Sequence, residues 1–148
     1  MPADIDDAPE ILALQKLVYE SEARLYDDWT LPPLTQTIDS LRAEFAVSVV
    51  LKAVGTDARI AGSVRARASG NTCHVGRLIV SPDQQGRGIG TRLMSEIEAR
   101  FPAIPRFELF TGSLSAANIR LYQRLGYRHC REQALPTGVT LVFMEKTR

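Results

Sequence analysis

The sequence predicts an α/β (α+β) chain: a single mixed, mostly antiparallel sheet flanked by helices. Three observations predict it. Two helix-patterned segments come first. Three β-branched runs separated by short turns follow. The remainder reads helix, strand, helix and two strands, an order that buries its apolar faces by laying helices on one sheet. The 148 residues suffice for one domain with its own core, so residues 1–148 are read as one unit.

The first helix is expected from Asp7, with Asp7 and Glu10 as a capping box and Pro9 tolerated in the first turn. Ile11, Leu14, Val18 and Leu25 supply its apolar stripe. Asp27-Asp28-Trp29-Thr30-Leu31-Pro32-Pro33 breaks it, and a second helix is expected over 35–45, with Ile38, Leu41 and Phe45 inward. Strands are expected over 47–54, 60–68 and 72–80, an antiparallel meander joined at Gly55-Thr56-Asp57 and Ser69-Gly70-Asn71. A helix over 88–100, a strand over 106–111, a helix over 115–124 closed by Gly126, and strands over 127–134 and 139–145 complete the chain.

Composition narrows the function classes. Apolar residues are 45% and charged residues 24% of the chain, ordinary for a globular protein. The net charge of +1 gives no electrostatic footprint for nucleic acid. No stretch approaches the ~20 apolar residues of a membrane helix, and the start lacks the pattern of a signal peptide. Two cysteines, Cys73 and Cys130, and two histidines, His74 and His129, are too few for a disulfide framework or a dedicated zinc site. The expectation is a cytoplasmic protein with reduced thiols, no metal, no nucleic acid and no membrane partner. Homodimerisation is left open.

The most informative segment is Val80-Ser81-Pro82-Asp83-Gln84-Gln85-Gly86-Arg87-Gly88-Ile89-Gly90-Thr91, between a strand and a helix. Alternating glycines permit a tight turn, and the amides of Gly86 to Gly90 at a helix start form an anion site for a diphosphate. Its spacing is G-x-G-x-G, so it is neither a dinucleotide fingerprint nor a P-loop.

With Gln85, Gly88 and Gly90 in the pattern Gln-x-x-Gly-x-Gly, the chain resembles the GCN5-related N-acetyltransferase (GNAT) superfamily. Asn118-Ile119-Arg120-Leu121-Tyr122-Gln123-Arg124-Leu125-Gly126-Tyr127 resembles that family's late helix and following turn. The resemblance implies an acyl-CoA N-acyltransferase-like fold and acetyl-CoA as cofactor. It places coenzyme A against Leu78, Ile79 and Val80, the turn from Gln85 through Gly86, Arg87, Gly88, Ile89, Gly90 and Thr91, and Asn118, Leu121 and Tyr122. Family members open with a strand, and only Met1 to Ile5 is available for it, so that strand is expected to be very short or missing.

Acetyl transfer to an amine requires a neutral amine, stabilisation of developing negative charge, and a proton for the departing thiolate. Tyr122 is the expected proton donor, as in the family. His74 is the candidate base: period-two alternation groups it with Gly76, Leu78 and Val80, and a histidine titrates near ~6.5. Glu108 is a second candidate for proton relay or amine binding, set against a structural pairing with Arg65, Arg67 or Arg77. Glu22, Asp27 and Trp29, with Glu108, are the candidate acceptor-binding residues, since acidic and aromatic groups suit a cationic amine. The expected acceptor is a small-molecule amine. Acetylation of a protein N-terminus or lysine, and a non-catalytic acyl-CoA-binding module, are the alternatives.

Overall fold

Residues 1–148 are described by a computed structural model. Its elements are α1 (Ala8–Tyr26), α2 (Pro32–Thr35), α3 (Ile38–Val47), β1 (Val49–Val54), β2 (Ile60–Ser69), β3 (Thr72–Val80), α4 (Ile89–Ala99), β4 (Arg106–Gly112), α5 (Ala116–Arg124), β5 (Arg128–Ala134) and β6 (Thr140–Thr147). The expected opening strand is reduced to one bridge. Pro2 lies opposite Leu51 on the outer edge of β1, flanked by bonds from Ala3 N to Val50 O and from Lys52 N to Met1 O. No helix is long and apolar enough to cross a membrane.

The capping box sits one turn earlier than expected. Asp4 caps a 3-10 turn, Ile5–Asp7, and Asp7 reciprocates by accepting from Asp4 N. Glu10 is used elsewhere, accepting from Ile60 N at 2.7 Å where β2 begins. Leu25 departs from the expected stripe and is exposed, because at that end of α1 the row facing the molecule is Tyr19, Glu22 and Tyr26. The expected second helix is α3, which begins at Ile38, three residues later than expected, and a separate short α2 forms over Pro32–Thr35, beginning within the segment expected as a break. Thr37 caps α3, its hydroxyl accepting from Ser40 N at 3.1 Å, and this isolates the short α2.

The strands form one sheet in the order β1-β2-β3-β4-β6-β5. All neighbours are antiparallel except β3 and β4, which run parallel. These two pair only at Thr72–Arg106, Cys73–Phe107 and His74–Glu108, and then diverge. Leu93, Met94 and Ile97 of α4 and Tyr122 of α5 pack with Cys73, Val75, Phe107 and Leu109 on one face. Ile11, Leu14 and Leu41 from α1 and α3 pack with Val50 and Ile79 on the other.

Those two cores expose a reversal within β3. Cys73 and Val75 belong to the α4/α5 face, yet Ile79, an even number of residues on, belongs to the α1/α3 face. Simple alternation forbids this. The cause is a bulge. Arg65 lies opposite Gly76 while Ser63 lies opposite Ile79, and Arg77 adopts a left-handed φ of 53°. Every side chain after the bulge is switched to the other face.

Candidate active site

Two spaces meet at the point where β3 and β4 separate. The larger is a groove of about 550 Å³ over the start of α4. It is lined by Leu78 and Val80 from β3, by Gln84 to Gly86 and Gly88 to Thr91 from the turn, and by Asn118, Leu121 and Arg124 from α5. Gly86 and Gly88 both have φ of 79°, a conformation that disfavours any residue with a Cβ. Gly88 is the N-cap of α4 and offers no side-chain cap. No backbone N–H from Gln85 to Thr91 donates to another protein atom, so a run of amides and the positive end of the α4 dipole are left for a ligand. The Gln85 amide holds the turn against β3 by donating to Val80 O at 3.3 Å.

This donor set fits the pyrophosphate of coenzyme A, and the groove continues along the end of β3, where a pantetheine arm would lie. Three of the expected cofactor residues are placed differently. Arg87 is exposed and donates to Gln84 Oε1 at 3.3 Å, outside the groove lining. Ile79 is turned by the bulge into the α1/α3 core. Tyr122 lines the second space instead. Gln84, Ala117 and Arg124 line the groove without having been expected. Only the three-residue spacing of Asn118, Leu121 and Arg124 on one helix signals the last of these.

The second space is a cavity of about 250 Å³ between the diverging strands. Its walls are the Tyr19–Glu22–Tyr26 row of α1, the Leu31–Pro33 segment, the bulged part of β3, and Leu109 to Gly112 of β4. Tyr19, Glu22, Leu78 and Asn118 border both spaces and mark their junction.

Tyr122 reaches this cavity from α5. Its ring is buried, packed edge-on against Tyr127 with centroids 6.1 Å apart, and its hydroxyl has no hydrogen-bond partner in the protein. Burial, reinforced by Tyr19 and the Glu22 charge, pushes its pKa well above that of a free phenol. The hydroxyl therefore keeps its proton. Glu22 is fixed by a relay: Leu114 N donates to the Tyr26 hydroxyl at 3.0 Å, Tyr26 and Ser115 Oγ are 2.7 Å apart, and Ser115 Oγ donates to Glu22 Oε2 at 2.6 Å. No arginine or lysine lies within 4.0 Å of the Glu22 carboxylate.

The other candidates are not brought to the cavity. His74 precedes the bulge, so it lies on the face opposite Leu78, half exposed, with Nδ1 4.0 Å from Glu108 Oε1. Glu108 is clamped by Arg106 at 2.6 Å and Arg131 at 3.2 Å, not by Arg65, Arg67 or Arg77. Burial alone would raise its pKa. The Arg106 hydrogen bond and the two guanidinium charges outweigh that and hold it below the usual carboxylate value. A carboxylate so held is a structural anion, not a base for an incoming amine. Asp27 is the left-handed C-cap of α1, with φ of 50°. Trp29 is 54% exposed, with the Arg24 guanidinium 6.0 Å from its ring. The residues that replace them, Tyr19, Tyr26 and Arg77, gave only one signal in the sequence, the helical row shared by Glu22 and Tyr26.

The comparisons agree with this architecture. Residues 30–148 match the family model described as an acetyltransferase (GNAT) domain, and the chain belongs to that family. The same fold is found in the PaiA N-acetyltransferase of Thermoplasma acidophilum in complex with coenzyme A. The TM-score is 0.78 and the identity 16%, covering 100% of this chain and 97% of that one. A GNAT superfamily phosphinothricin acetyltransferase from Sinorhizobium meliloti, in complex with acetyl-CoA, gives a TM-score of 0.79 at 17% identity over 99% of this chain and 86% of that one. Nourseothricin acetyltransferase gives 0.64 at 25% identity over 68% of this chain, and the match spans only 65% of that protein. No curated protein matches the sequence. The fold and the family together define an acetyltransferase.

Proposed function

We propose that this chain is an acetyl-CoA-dependent N-acetyltransferase that acetylates a primary amine of a small molecule. The observation that carries the reading is the junction itself. A groove with unused backbone donors meets a small cavity, a carboxylate with no cationic partner stands at the meeting point, and the protonated phenol of Tyr122 stands in the cavity wall. The amides of Gln85 to Thr91 would hold the pyrophosphate, and Leu78, Val80, Asn118 and Leu121 the arm. Acetyl-CoA, when bound, supplies the activated acyl carbon that an amine attacks.

The protein's own residues supply the rest. Glu22 attracts the ammonium form of the acceptor, since alkylamines are protonated below ~10.4, and it is the one carboxylate in the cavity lining that can take that proton. Tyr122 donates the proton that the leaving thiolate requires. A cavity of about 250 Å³ lies just under the ~300–1,000 Å³ of drug-sized sites, which favours a compact acceptor. Thiol release from acetyl-CoA against a panel of small amines tests the reading. Turnover with at least one amine is expected, and Tyr122→Phe should lower kcat about 100-fold with acetyl-CoA affinity unchanged. Full activity of that variant at saturating substrates refutes the role of Tyr122.

A further inference from the structure

The bulge places an arginine in the acceptor cavity without an acidic partner. Arg77 lines the cavity beside Tyr19, yet no carboxylate lies within 4.0 Å of its guanidinium. Its Nε is buried and lacks any acceptor. Arg65, on the neighbouring strand, deepens the imbalance. Its only acidic neighbour is Glu44, at 3.9 Å, and Glu44 also accepts from Ser48 Oγ at 3.0 Å. Of these two largely enclosed guanidiniums only Arg65 thus meets a carboxylate, and Arg77 has the neutral Tyr19 hydroxyl as its side-chain partner. Burial and the nearby Arg77 charge pull Arg65 down to about 10, and burial depresses Arg77 as well, so both cations are held at a cost that an added anion would relieve. Water does not remove this excess. Arg77 and Gln15, whose Oε1 is the other buried polar atom without a partner, border a void of about 10 Å³. That is room for about one water molecule, which satisfies hydrogen bonds but carries no charge.

We infer that the acceptor carries an acidic group as well as its amine, and that Arg77 binds that group while Glu22 receives the ammonium. The inference rests on the reading of this cavity as the acceptor site. The substrate class is then a small amino acid in the broad sense, an amine joined to a carboxylate or a phosphonate by a short carbon skeleton. Opposite charges on α1 and on the β3 bulge fix its direction, amine toward the Leu78 junction and acid toward Arg77. A guanidinium presents a planar fork that suits either oxyanion.

The test compares four acceptors on one skeleton: an α-amino carboxylate, its primary amide, the matching aminoalkylphosphonate and the plain alkylamine. With wild-type protein, kcat/KM should be about tenfold to a hundredfold higher for at least one acid than for the amide, the range expected of a charge-assisted hydrogen bond. The preferred acid identifies the oxyanion. Arg77→Gln should bring the acid-to-amide ratio toward one, and Arg77→Lys should restore part of it. Equal use of acid and amide by the wild type overturns the inference and leaves acetyl transfer standing. If no amine of any kind releases thiol, the proposed reaction fails instead. Calorimetric binding of the acid and the amide to wild-type protein then decides the anion site, a tenfold difference upholding it and equal affinity overturning it.

Discussion

Gly112 tests the geometry of the acceptor cavity most directly. It lies at the end of β4, and a Cβ built on it would land on the Tyr26 hydroxyl. Tyr26 is the middle member of the relay that fixes Glu22. In Gly112→Ala the ring has two choices. It can swing away and lose its bonds to Leu114 N and Ser115, at ~0.5–1.5 kcal/mol each. It can stay and force the strand to yield, an overpacking cost of ~1–3 kcal/mol. The two routes cost alike, so the loss is about 1–3 kcal/mol, or a Tm lower by about 2–12 °C for a chain of this size. Function should respond unevenly. Tyr26 and Gly112 line the cavity but not the cofactor groove, so KM for the acceptor rises while acetyl-CoA affinity holds. Chemical denaturation and calorimetry measure both quantities. The decisive control is the Tyr26→Ala background, where the methyl meets no hydroxyl and the added penalty should fall below about 0.5 kcal/mol. An equal penalty in both backgrounds refutes the reasoning.

Gly88→Val places a β-branched residue at a φ of 79° and above the free amides. Acetyl-CoA binding by calorimetry should weaken at least ~10-fold, for a backbone strain of ~1–3 kcal/mol. Glu108→Gln should cost about 1–3 kcal/mol at pH 7, below the buried-pair range because Arg131 is half exposed. The sign with pH follows from the lowered pKa: the ionised clamp stabilises the fold above the unfolded carboxylate value of ~4.3 and is lost as pH falls through the lower folded value. The gap between wild type and variant in acid titrations of stability should therefore close below pH ~4. His74→Ala, outside the cavity, should leave the rate against pH profile unmoved. A displaced acidic limb would return His74 to the chemistry.

The readable parts of the site are those whose reason is local. The glycine turn was legible because Gly86 and Gly88 adopt a φ that other residues resist, and because a helix start leaves its amides unpaired wherever the helix happens to pack. Asn118 and Leu121 were legible from helical spacing and family resemblance. His74 was misplaced by a sound rule applied across a bulge. The bulge has no signature in Thr72-Cys73-His74-Val75-Gly76-Arg77, since an arginine in the left-handed region is not what such a position favours. Glu108 was recognised as a carboxylate needing a partner. Arg106 and Arg131, which provide it, come from its own strand and from β5 two places across the sheet.

By itself the sequence determined the succession of the main helices and strands, the antiparallel meander, and a glycine turn with free amides at the head of α4. These follow from dihedral preferences and apolar periods that neighbouring residues set among themselves. Tertiary structure alone decided that β3 and β4 part after His74–Glu108, that the bulge turns Arg77 toward the cavity, and that Tyr26, Ser115 and Glu22 form one relay. Each of these depends on strand register or on contacts between residues up to 93 positions apart. Pairing energies across the whole sheet select that register, and no local window contains them.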